Sequence, residues 1–440
     1  MVRLSELLKV SGITGYENVD RNALVSGGKT DSRLIGSGDI YFAFKGQNTD
    51  GHDFVPQCSE KGMAAAVVDK DYKNSGEFPV IYSSDVEKTL GEFASAWRKL
   101  HKAKIIGITG TNGKTTTKEI LSKILSSKFN LISTFKNYNN QIGVPLTLLS
   151  IKDDTEIAIV ELGTNHQGEI EYLANLSDPD TGIITNIGEG HLEFFKDKKG
   201  VYLEKSSLYE YLYKKGGRIF VNTDDEFLRE WKKGNITTFG FKNSPDITFE
   251  NVKLNGKGFP EFSFNGLPAS LAVPGILNLK NALAAAAIAC GFGMSAIEIT
   301  AALSQYRSSD KRYELVRYKN SDVILDCYNA NPTSMENFLN DISLMGKDFV
   351  LVLGDMLELG GASADSHKRI ISAAAKIGFR HVYLYGGEMK KALGSEHPGS
   401  SVEHIENLGL LKSEFDKVAS EGARIAVKGS RGMKLEKLME

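Results

Sequence analysis

Residues 107–117 read GITGTNGKTTT, and the reading of this stretch decides the fold. A phosphate-binding P-loop is usually written G-x-x-x-x-G-K-[ST]. Five residues before Gly113 stands Ile108; the nearest glycines are Gly107 and Gly110. The physics asks for less than the pattern does. It needs a strand, a tight glycine-bearing turn whose N–H groups face a phosphate, and the start of a helix. KIIGITG (104–110) is short and β-branched, as a buried strand should be. From Thr115 to Ser126 the pattern predicts a helix with Ile120, Leu121, Ile124 and Leu125 on one face. Gly110, Thr111, Asn112 and Gly113 form the turn. Lys114 can reach β/γ-phosphates, Thr115 can offer a hydroxyl to Mg²⁺, and Thr116 follows at the positive end of the helix dipole. The bland alternative is a glycine-rich turn with a chance lysine, which the G-K-T-T core argues against. A dinucleotide site is a weaker rival, because G-x-G-x-x-G is absent.

Outward from this loop the order strand, turn, helix continues. EIAIVELG (156–163), TGIITNIG (181–188) and GRIFVNT (217–223) read as strands, and NALAAAAIAC (281–290) as a strong helix former. Such alternation predicts a parallel α/β sheet. Before it, DIYFAFKG (39–46) and AAAVVDK (64–70) are strand patterns among turns, and a helix is expected from about 86. Near 310 the pattern restarts: SDVILDCYNANP, KDFVLVLGDM, RHVYLYGG and RIAVKGSRG are strand-then-loop units of a second, smaller doubly wound sheet. We therefore expect an α/β protein of three domains, at 1–85, 86–309 and 310–440.

The bulk numbers fit this reading and exclude others. A chain of 440 residues suits about three domains. The 53 basic and 55 acidic residues leave a net charge of −2, with no electrostatic case for nucleic acid. Cys58, Cys290 and Cys327 are far apart and odd in number, so they form no disulfide framework, and a reducing, cytoplasmic setting is the simplest fit. The start, MVRLSELLKVSGITG, is a short amphipathic helix pattern without a signal peptide's apolar core. No apolar run approaches the ~20 residues that span a bilayer.

TGTNGKTT resembles the form this loop takes in the Mur ligases, the ATP-dependent amide ligases of peptidoglycan assembly, and in their folylpolyglutamate synthetase relatives. The resemblance covers nearly the whole chain. TDSR (30–33), GDIYFAFKG (38–46) and DGHDF (50–54) are similar to the family's uridine-nucleotide module. FKNYNNQIGVPLTLL (135–149), ELGTNHQGEI (161–170) and TNIGEGHLEFF (185–195) are similar to its central domain. DCYNANPTSM (326–335), LGDMLELG (353–360) and KGSRGMKLE (428–436) are similar to its C-terminal, Rossmann-like domain. Departures are Leu162 for methionine, Thr164 for alanine, and an ILNLKN segment lacking a histidine.

The resemblance implies a two-step reaction, in which a carboxylate becomes an acyl phosphate and an amine then displaces phosphate. The branch it points to joins D-alanyl-D-alanine to UDP-N-acetylmuramoyl-tripeptide. It also implies ATP and two Mg²⁺ ions; with the charge and apolar runs above, we expect a monomer that neither enters membranes nor binds nucleic acid. Lys114, His191 and Lys205 become the catalytic candidates, Lys205 as a carbamate. Thr115, Glu161, His191 and Lys205 become metal ligands, and Asn281, Arg312 and Asp326 join the loop in binding ATP. Ser32, Arg33, Lys45, Asn137, Asn139, Asn140, Asn329 and Asn331 are expected at substrate. Without the resemblance each has an ordinary reading: a loop histidine in solvent, a surface helix lysine, an asparagine capping a helix or an Asn-rich turn. Asn281 in particular would open its helix as a cap. The rival functions are another ligase of the family that adds a single amino acid, a folate ligase, and a P-loop regulatory ATPase. The TDSR module speaks against folate, and the absence of D-N-P-R speaks against addition of the third amino acid.

Overall fold

In the computed structural model, residues 1–190, 192–308, 310–394 and 401–440 are described. The chain forms two compact units. One comprises Met1–Thr109, Lys128–Ile183 and Ser206–Ile219; the other comprises Gly110–Ser127, Ile184–Lys205 and Phe220–Glu440.

In the first unit, a five-stranded sheet has the order Ile13–Glu17, Val80–Ser83, Ala65–Asp69, Asp39–Phe42, Gly27–Lys29. Only the first pair is antiparallel. Tyr41, Ala43, Val55, Ala66 and Val68 share one of its cores. The strand predicted over 39–46 stops at Phe42, where the chain turns toward the isolated Lys45–Asp50 bridge. The amphipathic start yields a helix of one turn, Leu4–Leu7.

The sheet that carries the P-loop strand has the order Asn235–Phe239, Arg218–Asn222, Thr181–Ile184, Lys104–Thr109, Ile157–Glu161, Leu131–Ser133. Lys104–Thr109 pairs in parallel with Ile157–Glu161, which pairs in parallel with Leu131–Ser133. The predicted strands at 104, 156, 181 and 217 are all present. The P-loop strand is fully buried from Ile105 to Thr109, which is why it reads as an unbroken apolar run rather than an alternating one.

In the second unit, a six-stranded sheet has the order Glu314–Tyr318, Ser321–Asp326, Ile425–Lys428, Val350–Gly354, His381–Tyr385, Val402–Ile405. The first pair is antiparallel and the rest are parallel. Leu351 and Leu353 face a core with helices Pro332–Met345 and Ser363–Ile377, and Val350 and Val352 face a core with helix Leu408–Ser420. Helices on both faces make this sheet doubly wound, as the four apolar strand patterns predicted. Two strands were not anticipated. Glu314–Tyr318 and Val402–Ile405 lie at the sheet edges and are half polar, so no apolar run marks them. A three-stranded antiparallel sheet, Glu250–Leu254, Pro260–Phe264 and Leu267–Ser270, also went unread.

The alanine-rich helix runs from Ile276 to Gly291, not from Asn281. Gly275 stands at its cap position, and the Asp341 carboxylate accepts the N–H groups of Ile276 and Leu277 at 2.7 and 3.4 Å. Asn281 therefore lies in the second turn, and its reading as a helix cap is corrected. The cap came from a carboxylate distant in sequence, which local patterning does not reveal.

Candidate active site

The variant spacing of the P-loop has a steric cause. Gly110 holds φ +146°, and a Cβ there would meet Thr185 Oγ1 at 1.9 Å and Thr185 N at 3.0 Å. Gly113 holds φ +81°, and a Cβ there would meet Asn281 Oδ1 at 2.2 Å. Both positions thus demand glycine twice over, for conformation and for close approach. Helix Lys114–Leu125 follows directly, with Thr115, Thr116 and Thr117 buried in its first turn. The Lys114 ammonium donates to the carbonyl oxygens of Gly110 at 2.8 Å and Thr111 at 3.3 Å, arching back over its own loop.

A second loop, 185–190, is stitched to the first. Thr111 N–H donates to Asn186 O at 2.9 Å and Asn112 N–H to Asn186 Oδ1 at 3.1 Å. In return Thr185 Oγ1 and Asn186 Nδ2 donate to Asn112 O at 2.6 and 2.8 Å, and Gly188 N–H donates to Thr111 Oγ1 at 2.9 Å. Ile187 N–H donates to Asp225 Oδ2 at 2.7 Å. Burial raises the Asp225 carboxyl pKa, opposed by the N–H groups of Ile187, Leu228 and Phe227. Sequence reasoning singled out none of Thr185, Asn186 and Asp225; the T-N-I-G run after a predicted strand was the available signal.

From the same loop comes a link to the C-terminal segment. Asn331 Nδ2 donates to Asn112 Oδ1 at 2.9 Å, while Asn331 Oδ1 accepts the Ser334 N–H at 2.8 Å in a capping box on helix Pro332–Met345. Asn331 is thus occupied by the P-loop and by its own helix. Asn329 Oδ1 accepts the Ala330 N–H at 2.8 Å, and Asn329 O accepts from the Lys428 ammonium at 3.1 Å. Lys428, only 2% exposed, also forms an ion pair with Asp326 at 2.5 Å. Sequence reasoning missed Lys428, although KGSRG had been singled out. Arg312 lies over the Tyr328 ring, 3.4 Å from its centroid.

Lys205 sits within helix Lys198–Lys215 and is 2% exposed, so the surface-lysine reading does not hold. Burial, together with the charge of Lys114, drives its pKa well below that of a free lysine, with Glu204 opposing. His191 lies outside the described residues. Among the described residues there is no cluster of three or more His, Cys, Asp and Glu side chains able to hold a metal.

In the first unit, two predicted residues meet. Asn139 Nδ2 donates to Glu161 Oε1 at 2.8 Å, and Glu161 is 1% exposed at the end of its strand. A Cβ at Gly163 would strike the Asn139 amide at 2.5 Å, so glycine there admits the amide. Asn140 spends its oxygen on the N–H groups of Ile142 and Gly143, at 3.3 and 2.9 Å, and so is a turn-former here; Asn137 is exposed. Glu169, accepting N–H groups of Asn165 and His166 and the Gln141 amide, pins the loop after Glu161. Burial pushes its pKa up, but these donors outweigh that and hold it at about 2.

In the N-terminal sheet, Asp31 accepts the Arg33 N–H at 3.0 Å and pairs with the Arg33 guanidinium at 2.7 Å. The Arg33 hydrogen bonds hold the Asp31 pKa down to about 2. Ser32 is buried, and its carbonyl accepts from the Lys61 ammonium at 2.8 Å; Lys45 is exposed.

Three family models match the chain: "Mur ligase family, catalytic domain" at residues 25–102, "Mur ligase middle domain" at 108–289, and "Mur ligase, glutamate ligase domain" at 311–431. A UDP-N-acetylmuramoyl-tripeptide–D-alanyl-D-alanine ligase of Bacillus subtilis is 32% identical over 95% of this chain and 93% of its own. The crystal structure of MurF from Acinetobacter baumannii, 30% identical, superposes with a TM-score of 0.83 over 94% of this chain and 92% of its own. A Thermotoga maritima MurF ligase crystallised with ADP shares the fold at 23% identity, TM-score 0.83, covering 94% of this chain and 96% of its own.

Proposed function

The chain belongs to the Mur ligase family, and from that premise we propose that it joins D-alanyl-D-alanine to UDP-N-acetylmuramoyl-tripeptide at the expense of ATP. The observation that carries this reading is likeness along almost the whole chain to ligases of that one reaction. A match confined to the P-loop would leave every ATPase in play.

A carboxylate is a poor electrophile because its oxide leaves poorly. In the first step the tripeptide carboxylate attacks the γ-phosphorus, the bond to the β-phosphate oxygen breaks, and ADP leaves. In the second the dipeptide amine attacks the acyl carbon, phosphate departs with the carbonyl–oxygen bond, and the amine gives up a proton. What remains for the protein is positioning and charge neutralisation. The N–H groups of Gly110, Thr111, Asn112 and Gly113 and the Lys114 ammonium take up phosphate charge. Asn281 stands against Gly113, which supports its place at the nucleotide; Arg312 and Asp326 complete the ATP contacts.

The donor set suits magnesium, which takes hard oxygens. A carboxylate as buried as Glu161 is costly without a cation. Thr115 and Glu161 would hold one ion, His191 and a carbamylated Lys205 the second. Bound magnesium neutralises phosphate charge and polarises the phosphoryl oxygens. The buried, depressed amine of Lys205 supports its carbamylation, which exchanges a cation for a two-oxygen anion.

Ser32, Arg33 and Lys45 are proposed at the uridine diphosphate, Asn137, Asn139 and Asn140 at the muramyl peptide, and Asn329 and Asn331 beside the dipeptide. We take the domains as 1–85, 86–309 and 310–440, and the enzyme as a cytoplasmic monomer that binds no nucleic acid and does not insert into membranes. Three free cysteines fit that compartment, and among the described residues no helix is long and apolar enough to cross a membrane.

The test is ATP-dependent phosphate release with UDP-N-acetylmuramoyl-tripeptide, with and without D-alanyl-D-alanine, and mass analysis of the product. Release that requires the dipeptide, with a product heavier by one dipeptide residue, is expected. Release indifferent to the dipeptide would sink the reading and favour a P-loop switch; a product enlarged by a single amino acid would favour another branch.

A further inference from the structure

We propose that Tyr328 is the positioning residue for Arg312: its ring carries the guanidinium plane in the attitude needed to receive phosphate. This rests on the reading that Arg312 contacts the phosphates of ATP. The guanidinium carbon lies 3.4 Å from the ring centroid, a distance at which the planar group rests on the ring face. Among the described residues Arg312 forms no ion pair, and its Nε is buried without a hydrogen-bond partner. Glu119, in the second turn of the helix that follows the phosphate loop, lies close enough for its charge to interact with that of Arg312.

Stacking suits this task for a geometric reason. It uses the face of the guanidinium and leaves the N–H donors in the plane, directed outward in the fork that matches phosphate oxygens. An ion pair with a carboxylate would hold the same group but consume those donors. Tyr328 belongs to the loop that is anchored on either side, by Asp326 on Lys428 and by Asn331 on Asn112. The ring is thus mounted on a braced segment. The contact uses the ring face and not the phenol oxygen, so phenylalanine should serve as well.

The experiment is steady-state ligation by the full chain with Tyr328→Phe, Tyr328→Leu, Arg312→Ala, Arg312→Lys and the Tyr328→Leu/Arg312→Ala pair. Tyr328→Phe should stay within about twofold of the parent, while Tyr328→Leu should lose about thirtyfold in kcat/KM for ATP, the size of a desolvated cation–π contact. The KM for D-alanyl-D-alanine should not move, and Tyr328→Leu should add nothing once Arg312 is alanine. Parent-like ATP parameters in Tyr328→Leu beside a crippled Arg312→Ala would overturn the positioning role and leave the phosphate role standing. An unimpaired Arg312→Ala would instead remove the phosphate reading beneath it. An additive loss in the pair would also overturn the proposal, since Tyr328 would then act on its own. Should Tyr328→Leu fail to fold, Arg312→Lys decides: it keeps the charge but has no plane to stack, and parent-like ATP parameters there would refute the idea.

Discussion

Lys428 and Lys205 are equally buried, each 2% exposed, yet the fold treats them in opposite ways. Lys428 meets the Asp326 carboxylate at 2.5 Å and a backbone carbonyl at 3.1 Å, so its charge is answered where it lies. Lys205 feels the like charge of Lys114 as well as burial, and its pKa falls far below that of a free lysine. Burial alone therefore does not assign a role to a lysine. The partner matters: with a carboxylate the lysine is a strut between adjacent strands, and beside another cation its charged form is disfavoured.

The sharpest way to break this contrast is activity. Lys205→Ala should lower turnover by roughly 10²–10³-fold, the loss seen when one preorganised electrostatic group is removed from an active site. Added bicarbonate should not restore it. Full turnover in this variant would remove the carbamate reading. Next comes stability. Lys428→Met strands the Asp326 carboxylate and should cost about 3 kcal/mol, read from thermal melting, with Asp326→Asn in the same chain recovering much of it. Parent-like melting of Lys428→Met would mean that Lys428 is no strut.

Carboxylates extend the comparison. Glu169 is held at about 2 by hydrogen bonds from Asn165, His166 and Gln141 that outweigh its burial. Its folded pKa lies below the usual value near 4.5, so its stabilisation is complete above that value and is lost as pH falls toward 2. The melting difference between the parent and Glu169→Gln should accordingly be largest near neutral pH and shrink between about pH 4.5 and 2; a difference constant over that window would contradict the assignment. The smallest effect is expected at the surface. Arg33 also pairs with a carboxylate, but its side chain is 84% exposed. Arg33→Ala should change stability by less than about 1 kcal/mol while raising the KM of the uridine-nucleotide substrate. A large drop in melting with an unchanged KM would reverse that assignment.

Much of the fold was legible because it is written in short-range patterns. The P-loop strand, its helix and the four apolar strands of the C-terminal sheet are runs whose burial follows from composition. Edge strands such as Glu314–Tyr318 are not, because a half-exposed strand has no apolar signature. Within the site, the loop glycines, Lys114 and Thr115 could be read from spacing. The partners could not. Lys428 and Asp326 are 102 residues apart, and Asn331 and Asn112 are 219 apart.

The sequence by itself determined that a glycine-bearing turn within 107–117 joins a strand to a helix and that strands and helices alternate around it, since these depend on residue type over a few positions. Only the tertiary structure decided why Gly110 must be glycine, which is the backbone and hydroxyl of Thr185, and why Asn281 is no cap, which is Asp341. It also decided that one of two buried lysines meets a carboxylate while the other is buried beside a like charge. Those outcomes depend on the distance between groups far apart in the chain, and electrostatic and steric energies are set by that distance.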